Sequence, residues 1–145
     1  MSELVLLANA GATLFMAGVI WFVQIVHYPL MGSVGRAQFA RYAEAHSRLT
    51  SYVVGPPMLV EATTAALLLL VRPAEIPFLA VLAGAMLLAA VWLSTAFLQV
   101  PRHTAFGGGY DRREHRALVA TNWIRTVAWT LRGLLVLWMI WLVVH

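Results

Sequence analysis

The sequence contains no cysteine and no lysine, and aspartate occurs once in its 145 residues. Without cysteine there are no disulfides and no thiolate metal sites. Without lysine, all ten strongly basic side chains are arginines. Charge of either sign is scarce: 11% of residues are charged against 61% hydrophobic, an apolar share far above the usual range of soluble domains. The formal net charge of +4 does not point to nucleic acid, because the arginines flank apolar runs, and membrane topology accounts for them better. Met1-Ser2-Glu3 lacks the basic region of a signal peptide, so the first apolar run is expected to be retained. No internal repeat or low-complexity region is visible, and one domain over residues 1–145 is expected.

Four apolar runs remain. They predict an all-α integral membrane four-helix bundle of up-down topology, with spans over about residues 4–27, 51–71, 78–100 and 118–144. Each is long enough for a bilayer core, which takes roughly 20 residues. Pro29 and Pro101 are expected to end the first and third spans, because the residue before a proline disfavours helix. In the first loop, Arg36 to Arg48 reads as an amphipathic helix at the membrane surface. Phe39, Tyr42, His46, Leu49 and Val53 share one face of it, and Arg41, Glu44 and Arg48 the other.

The polar residues within the spans are spaced as stripes. In the first span Asn9, Thr13, Gln24 and His27 fall on one face together with Ile20. In the third the stripe is Trp92, Thr95, Gln99 and His103, and in the fourth it is Asn122, Arg125, Trp129 and Arg132. The second span has Glu61 near its middle, just after Gly55-Pro56-Pro57, where two prolines remove backbone donors and predict a break. A carboxylate at membrane depth is a functional-site hypothesis by default. Trp92, Trp123, Trp129, Trp138 and Trp141 read as packing or interfacial anchors. His115, within a charged run, reads as solvated. Gly107-Gly108-Gly109 lacks the spacing and the lysine of a phosphate loop.

Topology follows from the arginines. Arg36, Arg41, Arg48, Arg102, Arg112, Arg113 and Arg116 lie on the side of the two long loops, and only Arg72 on the other. The positive-inside rule then gives a bacterial-type inner membrane protein with cytoplasmic long loops and both termini outside.

An antiparallel bundle gathers His27, His46 and His103 at one end. With Glu61 they are candidate ligands for iron, copper or zinc, which neutral imidazole suits. Glu61, Asn122 and Arg125 are the candidate catalytic residues, the last two as fixed donors to developing negative charge. Gln24, Gln99 and Arg132 are candidates for holding a cofactor or substrate. Two opposing readings stand beside these. Glu61 would simply pair with Arg125 or Arg132, since buried charges are normally paired. In addition, His46 and Glu61 would lie about 22 Å apart if residues 46–61 formed one straight helix, too far to share an ion.

His27-Tyr28-Pro29-Leu30, Val100-Pro101-Arg102-His103 and Asn122-Trp123-Ile124-Arg125-Thr126 resemble motifs of small four-span membrane proteins related to anthrone oxygenase. The resemblance covers most of the chain, and the last motif is the most specific. Many members of that group have no assigned activity, while anthrone oxygenases oxidise polycyclic phenols with molecular oxygen. His46 and Pro56-Pro57-Met58 through Glu61 are not shared with the oxygenase itself, which sets this chain on a distinct branch. The resemblance therefore implies a membrane oxidoreductase acting on a hydrophobic, phenolic or quinone-type substrate that enters from lipid. The alternatives are a non-enzymatic haem-, metal- or quinone-binding protein, or an accessory subunit. Membrane lipid is the expected surround, and a homo-oligomer is compatible with the sequence.

Overall fold

The computed structural model describes Met1–His145 as four helices: α1 (Ser2–Met31), α2 (Arg36–Val71), α3 (Phe78–Gly108) and α4 (Arg112–Val144). All four are long and apolar enough to cross a membrane, and no strand is present. The chain is a membrane-embedded all-α bundle. α1 packs against α2 and α4, and α3 packs against α4 and α2, so each helix has its sequence neighbour beside it and α4 closes back on α1.

The helices extend further than their apolar runs. Neither Pro29 nor Pro101 ends a helix; each sits two residues after a π-helical turn, Val23–His27 in α1 and Thr95–Gln99 in α3. A proline ring clashes with the carbonyl four residues earlier. Those carbonyls belong to Ile25 and Phe97, inside the two wide turns, which displace them and let the helix continue. The expected interfacial helix is likewise not separate. Residues from Arg36 run without interruption into the second span, as 36 residues of one helix. The expected break at Gly55-Pro56-Pro57 does not occur, and both prolines sit inside α2. Proline is tolerated in membrane helices where neighbours and local adjustment re-satisfy the backbone. The expected long loops reduce to short connections. Gly109, at φ 110°, makes the turn into α4 in a conformation that only glycine adopts freely, and Asp111 caps that helix through Arg113 N at 2.6 Å and Glu114 N at 3.2 Å.

The core is layered. Leu6, Ala10, Leu68, Val81, Val136 and Met139 fill the end nearest the termini. Met16, Ile20, Met58, Val91, Ala128 and Trp129 fill the middle. Tyr28, Met31, Phe39, Ala43, Phe106 and Leu118 fill the other end. Phe39, expected at the membrane surface, is fully buried there, edge-on to Phe106 and Tyr110. Two polar layers separate the three apolar ones, and the inward stripes of the sequence supply both. The outer surface is lined with exposed apolar side chains, among them Trp92, whose placement on the inward stripe was wrong: it is 38% exposed.

Candidate functional site

The first polar layer surrounds Glu61, which has no exposed surface. Thr13 of α1 donates its hydroxyl to Oε1 at 2.7 Å, Arg132 of α4 donates Nε to the same oxygen at 2.8 Å, and Trp129 donates Nε1 to Oε2 at 3.0 Å. The other guanidinium nitrogens of Arg132 reach the Gly84 carbonyl of α3 and, at 3.4 Å, the Thr13 hydroxyl. Asn9 completes the layer by donating to the Glu61 carbonyl at 3.1 Å and to Thr64 Oγ1 at 2.9 Å. All four helices meet here around one ion pair whose hydrogen-bonding capacity is taken up within the protein.

This arrangement sets Glu61 apart from the three histidines with which it was expected to share a metal. Both its oxygens are engaged, and α2 is continuous from His46 to Glu61, which separates them by about 22 Å along the axis. Arg132, expected to hold a cofactor, is the partner of Glu61 instead.

The second polar layer is different, because it borders a cavity of about 620 Å³. Met16, Ile20 and Val54 give the cavity an apolar wall, Tyr28, His46, Gln99, His103 and Arg125 give it polar groups, and the exposed Glu44 and Arg48 also border it. Arg125 is 7% exposed and forms no ion pair, since the Glu61–Arg132 bridge is the only one in the protein. Its Nη1 donates to Asn122 Oδ1 at 3.4 Å and its guanidinium lies 5.2 Å from the Trp129 ring centroid, but its Nε has no hydrogen-bond partner. Gln99 donates Nε2 to Thr121 Oγ1 at 3.1 Å while its Oε1 is unpartnered, and His103 shares a 3.1 Å hydrogen bond between Nε2 and the Tyr28 hydroxyl while its Nδ1 is unpartnered. α3 and α4 thus place buried, unpartnered polar atoms beside one largely apolar hollow.

Gln24 and Asn122 stand behind this surface and do not line the cavity. Gln24 Oε1 accepts from Asn122 Nδ2 at 2.8 Å and from Thr126 Oγ1 at 3.4 Å, and its Nε2 donates to the Val119 carbonyl at 3.2 Å. These bonds fix the Asn122 amide whose oxygen meets Arg125. The π turns serve the same layer, for Gln24 and Gln99 both sit within them, and single π turns recur at functional sites.

The three histidines are neighbours. The His27 and His46 rings stack 4.3 Å apart at 24°, and His46 lies 5.4 Å from His103. Stacked rings direct their in-plane nitrogens side by side rather than at a common point, and no three histidine or carboxylate side chains converge as a metal ligand set. His27 lies outside the cavity wall, on the far side of His46. His115 is not solvated as expected. It is buried and donates Nε2 to the Tyr28 carbonyl at 2.7 Å, satisfying an end group of α1. Tyr28 is the functional candidate missed in the sequence; its neighbour Pro29, two residues after the π turn, was the signal available.

No family model matches the chain, and no curated protein or solved structure matches it.

Proposed function

We propose that the protein is a membrane-embedded oxidoreductase, oxygenase-like, acting on a hydrophobic phenolic or quinone-type molecule held in the cavity. The observation that supports this most is Arg125, a guanidinium buried at membrane depth on the cavity wall without a carboxylate partner. Buried charges are normally paired. The partner that fits is an oxygen that is negative or becomes so during reaction, and an apolar wall suits the ring that carries it. A preorganised donor of this kind needs no rearrangement when the charge develops.

The chain's own residues then divide the work. Arg125 binds the substrate oxygen, Asn122 and Gln24 hold Arg125 in place, and Gln99 accepts a second polar group through its free oxygen. His103, oriented by Tyr28, takes the phenolic proton on Nδ1, in the role histidine most often plays. The oxidant is molecular oxygen, as the resemblance to anthrone oxygenases implies, and for anthrone the balance is anthrone plus O2 to anthraquinone plus water. The deprotonated ring bonds one oxygen at the carbon opposite the oxygen held on Arg125, takes the proton back from His103 as a hydroperoxide, and the O–O bond breaks with loss of water to leave the second carbonyl. No step is routed through an iron, copper or zinc ion.

An oxygen electrode tests this with the purified protein in lipid nanodiscs and anthrone, the keto tautomer of a polycyclic phenol, as substrate. Protein-dependent oxygen uptake is expected. If there is no uptake and no binding of anthrone or naphthoquinone, the reading falls; a Soret band in the purified protein would point to the haem-binding alternative instead.

The arginine distribution supports a bacterial-type plasma membrane location, with the cavity toward the cytoplasmic face and both termini outside. A periplasm-dependent reporter fused after His145 should be active; activity confined to a cytoplasm-dependent reporter would invert the orientation.

A further inference from the structure

We infer that the molecule bound in the cavity carries a long alkyl or isoprenoid chain, and that this chain leaves through a groove between α1 and α2 into the lipid. The inference rests on the reading of the cavity as a phenol or quinone site.

A second hollow, of about 460 Å³, lies on the other side of His46 from the cavity. Val19, Val23, His46, Thr50 and Val54 line both hollows, so the two meet along one seam between α1 and α2. The groove is apolar apart from His27, His46 and Thr50. At its mouth Phe22, Leu49 and Val53 expose 58%, 58% and 52% of their surface, so it opens onto the lipid-facing side of the bundle. If Arg125 and Gln99 fix the oxygen-bearing end of a ring, whatever substituent projects toward Val19, Val23 and Val54 continues into this groove.

The groove does not act by adding hydrophobic affinity. Lipid tails are as apolar as leucine, so moving a chain from bilayer to groove gains little. Its effect is steric: it lets a tailed head group occupy the cavity without bending the tail back on itself. A tail-less ring has no such need, and the two ligands therefore respond differently when the groove is filled.

Gly18 provides the means to fill it. It lines the groove, and a Cβ built on it meets nothing within 4 Å, so Gly18→Leu projects into open space without straining α1. Val53→Trp fills the groove from α2 as an independent variant. Binding of naphthoquinone and of its decyl-substituted homologue is measured in nanodiscs, with affinity expressed per ligand already in the lipid. The wild-type protein should bind both with similar affinity. Either variant should weaken the decyl homologue by about tenfold or more, on the scale of steric misfits in packed sites, and leave naphthoquinone unchanged. If the wild type binds naphthoquinone and rejects the decyl homologue, or if both variants bind the homologue as tightly as the wild type does, the chain inference is wrong and the groove holds at most a bilayer acyl chain. If neither quinone nor anthrone binds the wild type, the reading of the cavity itself has failed and the inference falls with it.

Discussion

Arg132 and Arg125 stand two turns apart on the inward face of α4, and the protein surrounds them in opposite ways. Arg132 meets a carboxylate, a backbone carbonyl and a hydroxyl from the other three helices. Arg125 meets one amide oxygen, the Tyr28 phenol, one aromatic face and a cavity, and no carboxylate. Both pay the cost of leaving water, yet only Arg132 recovers it from a counter-charge. The difference separates two settings of a buried charge in a membrane: a saturated one ties helices together, and an unsaturated one is, on the reading proposed above, left for a ligand.

The saturated node should give the largest effect when broken. Glu61→Gln leaves Arg132 buried without its counter-charge and should lower stability by about 3–5 kcal/mol, as breaking one side of a buried pair does. Arg132→Met should cost a similar amount, and the double variant should recover part of the loss because neither charge is left alone. Unfolding in detergent micelles by heat or by a denaturing surfactant measures all three. A loss below about 1 kcal/mol for Glu61→Gln, the scale of an exposed pair, would remove the distinction between the two nodes.

Arg125→Met should do the reverse. It deletes a buried cation that has no counter-charge, so stability should hold or rise. Affinity for naphthoquinone should fall by about tenfold to a hundredfold, the loss of one charge-assisted hydrogen bond. Parallel unfolding and binding measurements on this variant and on Arg132→Met give the contrast directly. If Arg125→Met destabilises as much as Arg132→Met, Arg125 is a second structural node and not a ligand group.

Trp129 touches both nodes, donating to Glu61 Oε2 at 3.0 Å while its ring lies beneath Arg125. Trp129→Phe keeps an aromatic face but loses the donor. It should cost about 1.5–2 kcal/mol of stability, in the range for a bond to a charged group, and leave ligand affinity near wild type. A drop in affinity as large as that of Arg125→Met would show that the indole positions Arg125 and is not mainly a clamp on Glu61.

Much of this was legible because lipid imposes a strict rule: polar groups in a span must face one another. Spacing alone therefore turned Asn9, Thr13, Gln24, Gln99, Asn122, Arg125 and Arg132 inward, and all of them are buried. The same spacing left open whether Glu61 met Arg125, Arg132 or the histidines, because partner choice depends on axial depth. That depth hinged on how prolines act. Pro29 and Pro101 read as helix ends and Pro56-Pro57 as a break, yet all four lie within helices. A π turn inserts one extra residue per turn without altering composition or hydropathy, so nothing in the sequence marks it except the proline that follows. Trp92 was misplaced because a stripe read at constant helical pitch cannot be carried across the wide turn that begins at Thr95. The cavity was not legible at all, for it depends on the space left between side chains rather than on the residues named.

The smallest effect on stability belongs to Tyr28→Phe, and it tests the unsaturated node most finely. The Tyr28 ring is 3% exposed, within the apolar cluster at the far end of the bundle, and phenylalanine preserves that packing. What is lost is one hydroxyl, 3.1 Å from His103 Nε2. A hydrogen bond of this neutral kind is worth about 0.5–1.5 kcal/mol, so unfolding should shift little. The functional consequence is separate, because that hydroxyl settles which nitrogen of His103 is engaged and leaves Nδ1 as the free one. Without it the imidazole is free to turn, and on the proposed reading the fraction of protein with His103 Nδ1 available as the base falls. On the proposed reading Tyr28 is thus a positioning residue: kcat for anthrone oxidation should fall by up to about tenfold, short of the roughly hundredfold or more that losing a general base outright costs, while KM and naphthoquinone affinity stay near wild type. A change in KM with kcat preserved would instead place the hydroxyl on the substrate, and an unchanged kcat would remove His103 from the proton transfer.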